Sequence, residues 1–173
     1  MEESSNTTVK SVAMKWGVIN GLLAIVLLLI IDFAGLIGNQ AVGWIGYVVF
    51  LVLLILAHKQ FKEEGDGYMS YGQGLGIGTL AMVISSVISS TFFFIYISFI
   101  NSEFVDFIKE KSIMDMENQG MSDAEIEQAM GFSESFMSPV ALTIFGLLGA
   151  IFFGFIISLI VSAITKNTQP EEI

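Results

Sequence analysis

His58 is the only histidine of the chain, and no cysteine is present. A transition-metal ion would therefore find one imidazole and otherwise only carboxylates, whereas zinc sites use several Cys and His ligands. Lys59 follows His58 directly, which favours a position where the side chain reaches water. The sequence predicts a hydrated His58 and no metal site.

The acidic residues of segment 101–139 are the densest charged group, with nine carboxylates and two lysines. Calcium loops of the EF-hand type require alternating acidic ligands, a central glycine and a distal glutamate at fixed spacing. The carboxylates do not follow that spacing, so the pattern favours a solvated acidic surface. Those closest in sequence are Asp115, Glu117, Asp123, Glu125 and Glu127.

Residues 71–78 read Tyr-Gly-Gln-Gly-Leu-Gly-Ile-Gly, a glycine density that phosphate-binding loops share. Those loops follow a strand and carry Gly-Lys-Ser/Thr or Gly-x-Gly-x-x-Gly. Neither spacing is present, and the glycines are better explained as allowing a helix to bend or to approach a neighbour closely.

No nucleophile can be paired with a base: serines are plentiful, but the topology that the lysines predict places the lone histidine on the opposite side of a membrane from the long segment 101–139. Asp32 is the one carboxylate touching the end of a long apolar segment, and no cation inside such a segment is available to it. We interpret Asp32 as a residue at the water boundary. The sequence predicts that the protein is not an enzyme and has no cofactor.

The chain also contains long apolar segments, which must position the residues discussed above. The hydrophobic fraction is 54% and the mean hydropathy is +0.75, too apolar for a soluble domain of 173 residues. A helix needs about 20 apolar residues to cross a hydrocarbon core of about 30 Å. The sequence therefore predicts an all-α, polytopic membrane protein, and an uncleaved first helix is favoured over a signal peptide. The four predicted spans are 12–31, 38–57, 74–100 and 140–164.

The lysine distribution predicts the orientation of these spans, because lysines near span ends favour the cytoplasmic side. Five lysines place both termini inside, with cytoplasmic tails 1–11 and 166–173 and an outer loop 101–139. Two lysines in the long loop disagree. The acidic net charge of −10 also makes nucleic acid an unsuitable partner. The five are Lys10, Lys15, Lys59, Lys62 and Lys166; the two are Lys109 and Lys111.

The outer loop contains helix signals. Ser122 and Glu125 form a capping-box pattern, with Met121 and Ile126 at the flanking hydrophobic positions. Ile126 and Met130 share a face, and apolar residues recur at helical spacing before Gly120. We predict an amphipathic helical hairpin between the third and fourth spans, with Met121, Ile126 and Met130 as its interaction residues.

Small residues recur every four positions in the spans and predict close helix packing. In lipid, close backbone approach supplies packing energy that apolar burial does not. Contacts within one chain are the favoured interpretation, and a homo-oligomer interface is the alternative. The predicted packing residues are Gly17, Gly21, Gly74, Gly78, Ser86, Ser90, Gly146, Ala150, Gly154 and Ser158.

Three motifs and a Phe-rich segment resemble a bacterial membrane family found mainly in Bacteroidota, catalogued as domain of unknown function 4199. Residues 67–74 read Gly-Tyr-Met-Ser-Tyr-Gly-Gln-Gly, and 116–127 read Met-Glu-Asn-Gln-Gly-Met-Ser-Asp-Ala-Glu-Ile-Glu. The Phe-rich segment 92–104 and the Ile-Ser-Leu-Ile of 157–160 complete the pattern. The resemblance implies a four-helix inner-membrane protein and assigns no activity and no site residue.

From these observations we expect a noncatalytic accessory or scaffold subunit, embedded in the bilayer, whose outer loop meets a protein partner. The alternative is a small oligomeric transporter or channel. That alternative draws on the small-residue stripes and on polar residues within the spans, such as Asn20, Ser86 and Ser90.

Overall fold

The computed structural model describes residues 7–169, and this part of the chain is helical with no β-strand, as predicted. Four helices are long and apolar enough to cross a membrane, in agreement with the predicted number. A π-helical turn, Tyr96–Ile100, extends α4, and a 3-10 turn, Glu134–Phe136, precedes α7. The α-helices are α1 (Val9–Phe33), α2 (Gln40–Gly43), α3 (Ile45–Glu64), α4 (Tyr71–Ile95), α5 (Glu103–Asn118), α6 (Asp123–Ser133) and α7 (Pro139–Thr165).

Among the four spans, the second differs most from its predicted bounds, 38–57, at both of its ends. Gly38 has a φ of 79°, a left-handed conformation that does not continue a helix, and α2 forms a separate turn capped by Asn39. At its other end, α3 continues seven residues beyond Ala57, because an apolar boundary does not require a backbone boundary. Helix α1 likewise begins inside the predicted tail 1–11. Residues 1–6 and 170–173 of the predicted tails lie outside the described residues.

Local side-chain caps begin three of the long helices. The Thr8 side chain accepts a hydrogen bond from the Ser11 amide, and Ser70 does the same for Gln73. Ser138 caps α7, whose first residue is Pro139. These contacts satisfy amides that have no partner within the helix, so the sequence marks each helix start locally.

Helix α4 lies at the centre of the bundle, with α1 and α7 packed against it. Gly17 lies against the backbone of α4, and Gly21 lies against Ile88. On the other side, Gly74 and Gly78 of α4 face Ser162 and Ser158 of α7, so small residues of the two antiparallel helices meet in register. The core is completed by buried side chains of α3: Phe50, Leu54, Ala57 and Phe61.

The bundle has two ends, which we name for what they hold. At the terminal end, the β-bridge between Met69 and Asn167 joins the loop before α4 to the segment after α7. At the connector end, α5 and α6 form the connection between α4 and α7, and we call them the connecting pair. Gly120, with a φ of 80°, lies between these two helices at the predicted turn.

The capping box of α6 is present as predicted, with the Ser122 amide 2.8 Å from the Glu125 carboxylate. The amide and the hydroxyl of Ser122 both donate to this carboxylate and hold the pKa of Glu125 below its usual range. A carboxyl whose folded-state pKa is lowered stabilises the fold above the unfolded-state value, and the contribution is lost as pH falls through the lowered pKa.

We therefore expect amide exchange in the first turn of α6 to accelerate below the normal glutamate range, after correction for the intrinsic exchange rate. Hydrogen–deuterium exchange at a series of pH values measures this. The Glu125→Gln variant is expected to lack the step. The same step in the variant would show that another group controls the start of α6.

Candidate functional site

Asp32 links α1 to the end of α4 at the connector end. Its carboxylate accepts hydrogen bonds from the Tyr96 hydroxyl and from Asn101 Nδ2, the latter at 3.1 and 3.3 Å. Both donors lie more than 60 residues away in sequence. Asp32 is partly buried and is an organised hydrogen-bond acceptor, and its position at the water boundary stays a prediction.

The π-helical turn brings these donors to Asp32. The Asn101 amide bonds to the Tyr96 carbonyl at 2.8 Å, a five-residue spacing that widens the helix at this point. Asn101 then leaves helical geometry, with φ −124° and ψ 75°, and the chain changes direction into α5. A single local irregularity therefore positions both the Asp32 network and the start of the connecting pair.

A groove runs along α5 beside residues 35–39. One cavity, of about 230 Å³, lies next to Asp32, and a second, of about 300 Å³, lies next to Lys111. The two cavities share Ile37 and Phe107, and we call them together the connector groove. Its lining is Asp32, Gly35, Ile37, Gly38, Asn39, Asn101, Glu103, Phe104, Phe107, Glu110, Lys111 and Met114.

The connector groove combines an apolar floor with an acidic end. Phe107 and Met114 are 42% and 59% exposed, although both lie outside the four long helices. Lys111 pairs with Asp115 at 3.5 Å, while Asp32 is held by neutral donors. The arrangement suits an apolar segment with a positive charge. Within residues 7–169, no three His, Asp or Glu side chains converge as metal ligands.

The predicted packing residues differ in how closely they contact a neighbouring helix. Gly17, Gly21, Gly74, Gly78 and Gly154 all lie against a neighbouring helix, and Ser86 and Ser158 are buried. Ala150 and Ser90 are partly exposed. Gly146 has no atom of another residue near the position of a Cβ. The small residues Gly146, Ala150, Gly154 and Ser158 form a stripe along α7. This stripe contacts α4 at Gly154 and Ser158, toward the terminal end, and has no such contact at Gly146.

The predicted interaction residues of the long loop are not equally accessible. Ile126 is 8% exposed, so its side chain is used within the structure. Met121 and Met130 are partly exposed. The apolar side chains that α5 and α6 expose most are instead Phe132 and Met114.

His58 is fully buried, and the prediction of a hydrated side chain is wrong. Its Nε2 lies 3.0 Å from the Gly74 carbonyl oxygen and its Nδ1 lies 2.7 Å from Thr165 Oγ1. Because a carbonyl only accepts, Nε2 carries the hydrogen. Lys62 donates to the Thr165 carbonyl at 3.0 Å. These hydrogen bonds join α3, α4 and α7 at the terminal end, and we call His58 with its two partners the His58 node.

A sequence signal for the burial of His58 exists in its spacing. His58 follows Leu54 by four residues and precedes Phe61 by three, which places it on the buried face of α3. The hydropathy boundary at Ala57 concealed this periodicity.

Replacement of Tyr96 by phenylalanine is expected to lower the free energy of unfolding by about 1.5–3 kcal/mol, since hydrogen bonds to a charged acceptor have this range. Chemical unfolding in detergent micelles measures the change. Tyr71→Phe is the matched control, because Tyr71 is exposed and its hydroxyl makes no hydrogen bond among the described residues. Equal stability of the two variants would show that the Asp32 network does not hold α1 to α4.

Four long apolar helices, close contacts between small residues and a helical connection are compatible with a multi-pass α-helical membrane protein. A family model described as "Protein of unknown function (DUF4199)" matches residues 15–167. The chain belongs to this family, as the sequence motifs predicted. No curated protein and no solved structure matches the chain.

Proposed function

We propose that the protein is a noncatalytic accessory subunit of the bacterial inner membrane, with four spans and both termini in the cytoplasm. In this arrangement the connector end faces outward, and the connecting pair is an amphipathic helical hairpin on or above the bilayer. The connector groove and the outer surface of α5 bind a partner protein. The lysine distribution and the four apolar helices support the arrangement.

The connector groove is the observation that carries the proposal. The first turns of α5 pack on the bundle through Phe104 and Ile108, in a cluster with Tyr96 and Ile97. On another side of α5, Phe107 and Met114 lie seven residues apart and line the groove without being covered. Exposed apolar side chains of this kind are typical of interaction surfaces.

The charge of the connecting pair indicates the kind of partner. Nine carboxylates and two lysines in 101–139 make this surface strongly acidic. A partner with a basic, partly apolar surface is complementary, and such association weakens as ionic strength rises. We therefore expect the complex to dissociate more readily at high salt.

Those polar side chains of the spans that are hydrogen-bonded within the bundle favour the accessory role over a transporter or channel. Asn20 donates to Ser85 Oγ at 2.7 Å between α1 and α4. Thr91 and Thr143 each donate to the carbonyl four residues earlier in their own helix. These groups are hydrogen-bonded within the bundle, as packing in lipid favours. The buried hydroxyls of Thr79, Ser86 and Ser162 have no hydrogen-bond partner among the described residues.

Co-purification in mild detergent tests the proposed partner. The tagged chain is expected to retain one protein in fixed stoichiometry, and Phe107→Lys with Met114→Lys is expected to release it. Gln119→Lys with Gln128→Lys is the control, because it adds the same two charges at exposed positions away from the groove lining. A chain that emerges alone, or only as a homo-oligomer, would contradict the proposal.

Reporter fusions test the orientation independently. A reporter after Ile173 is expected to read as cytoplasmic, and one inserted at Gln119 as external. An external reading after Ile173 would reverse the arrangement and place the connecting pair inside.

A further inference from the structure

Three phenylalanines form a continuous aromatic edge from the connecting pair to α7. The rings of Phe132 and Phe136 lie 5.6 Å apart, and the rings of Phe136 and Phe145 lie 5.8 Å apart. Phe132 is 76% exposed and Phe145 is 54% exposed. Phe132 lies in the last turn of α6, whereas Phe145 lies about two turns into α7, so the edge bridges a connector helix and a long apolar helix.

The edge continues the exposed apolar surface of α7. Val140, Ile144, Leu148 and Phe152 are all exposed on that helix, which has the highest mean hydropathy of the four. In a membrane arrangement, those side chains face lipid acyl chains. The contact between Phe136 and Phe145 therefore brings the end of α6 beside the lipid-facing surface.

We infer that the aromatic edge inserts Phe132 and Phe136 into the lipid leaflet next to the start of α7 and fixes the end of α6 at the membrane surface. The inference rests on the proposed four-span arrangement and adds a lipid contact to it. The occupant is the acyl region of the bilayer, because the edge contains rings and no hydrogen-bonding group.

Electrostatic attraction cannot supply this contact. Asp123, Glu127 and Glu134 give α6 and the turn after it a negative charge, which anionic headgroups repel. Apolar burial is the available driving force, as it is for interfacial helices with aromatic anchors. We therefore expect the insertion in zwitterionic phosphatidylcholine vesicles and at high salt, where a polybasic anchor would be released.

Spin labelling tests the insertion directly, because a chain without cysteine accepts single-cysteine labels with no other change. Phe132→Cys, Phe152→Cys and Gln119→Cys are labelled separately with a nitroxide in the full chain and reconstituted in phosphatidylcholine vesicles. Accessibility to oxygen and to a water-soluble nickel chelate is then measured. The ratio of oxygen accessibility to nickel accessibility is expected to be several-fold higher at position 132 than at position 119, and highest at position 152.

The labels at 132 and 152 test two different statements, the lipid contact of α6 and the four-span arrangement. A label at 132 that is as accessible to nickel as the label at 119, while 152 remains protected, overturns the lipid contact and leaves the four spans intact. A label at 152 that is open to nickel overturns the span arrangement itself, and the inference with it.

A second variant excludes insertion caused by the label. With the nitroxide at Ala129→Cys, one turn before Phe132, nickel accessibility is compared with and without Phe132→Ser and Phe136→Ser. Removal of the two rings is expected to raise nickel accessibility at 129, with helix content unchanged by circular dichroism. No change would overturn the inference.

Discussion

Replacement of Gly17 by leucine is expected to lower the free energy of unfolding of the bundle by about 3 kcal/mol or more. A Cβ at this position would lie 2.8 Å from the Ala81 carbonyl oxygen and 2.9 Å from the Ile84 Cβ. Since the first of these atoms belongs to the backbone of α4, no change of rotamer relieves the contact. Helices α1 and α4 must separate, and in lipid no hydrophobic gain replaces the lost packing.

The measurement is unfolding of the purified chain by titration with a denaturing detergent, followed by tryptophan fluorescence. Gly146→Leu is the matched control, because nothing lies within 4 Å of a Cβ at that position. Its stability is expected to be equal or slightly higher, since it removes a glycine from a helix. Equal losses in both variants would show that the contact between α1 and α4 does not determine stability.

Replacement of His58 by alanine is expected to cost about 3 kcal/mol, because it removes a buried side chain and two hydrogen bonds together. The contact to Gly74 is lost at α4 and the contact to Thr165 is lost at α7. Thermal unfolding in detergent measures the loss, with an additional increase in proteolysis expected where the segment after α7 meets Met69.

Lys59→Ala is the control for His58, one residue further along α3. Its side chain is exposed and pairs with Glu63 at 3.6 Å, a surface contact worth about 0.5 kcal/mol or less. His58→Gln is expected to be intermediate, because its amide NH₂ can still donate to the Gly74 carbonyl. If His58→Ala proved as mild as Lys59→Ala, the node would not join the three helices.

The local features of this fold were predictable, because each depends on a few neighbouring residues. Apolar length identified the four long helices, since transfer to lipid depends on the composition of about 20 residues. The Ser122 and Glu125 spacing identified the capping box before α6, and Gly120 identified its turn.

The features that depend on distant residues were not predictable from spacing. Asp32 has partners at Tyr96 and Asn101, which only the packing of α1 on α4 brings near. The connector groove follows from the π-helical turn, for which the sequence has no distinct pattern. The same is true of Gly146, which continues the stripe of α7 but has no neighbour at its Cβ position because helix spacing does not specify helix separation.

The central position of α4 has a consequence for biosynthesis. Helices α1 and α3 are made first, yet the glycines of α1 find their contact surface only in α4, which is made later. The α7 surface that closes the other side of α4 is made last. In the proposed membrane arrangement, α1 must therefore wait in the bilayer, or beside an insertion factor, with its glycine surface unmatched until α4 is made. In the same proposed arrangement, assembly is complete only after α7 leaves the translocation machinery, so shortened chains that lack α7 are expected to be targets for membrane quality control.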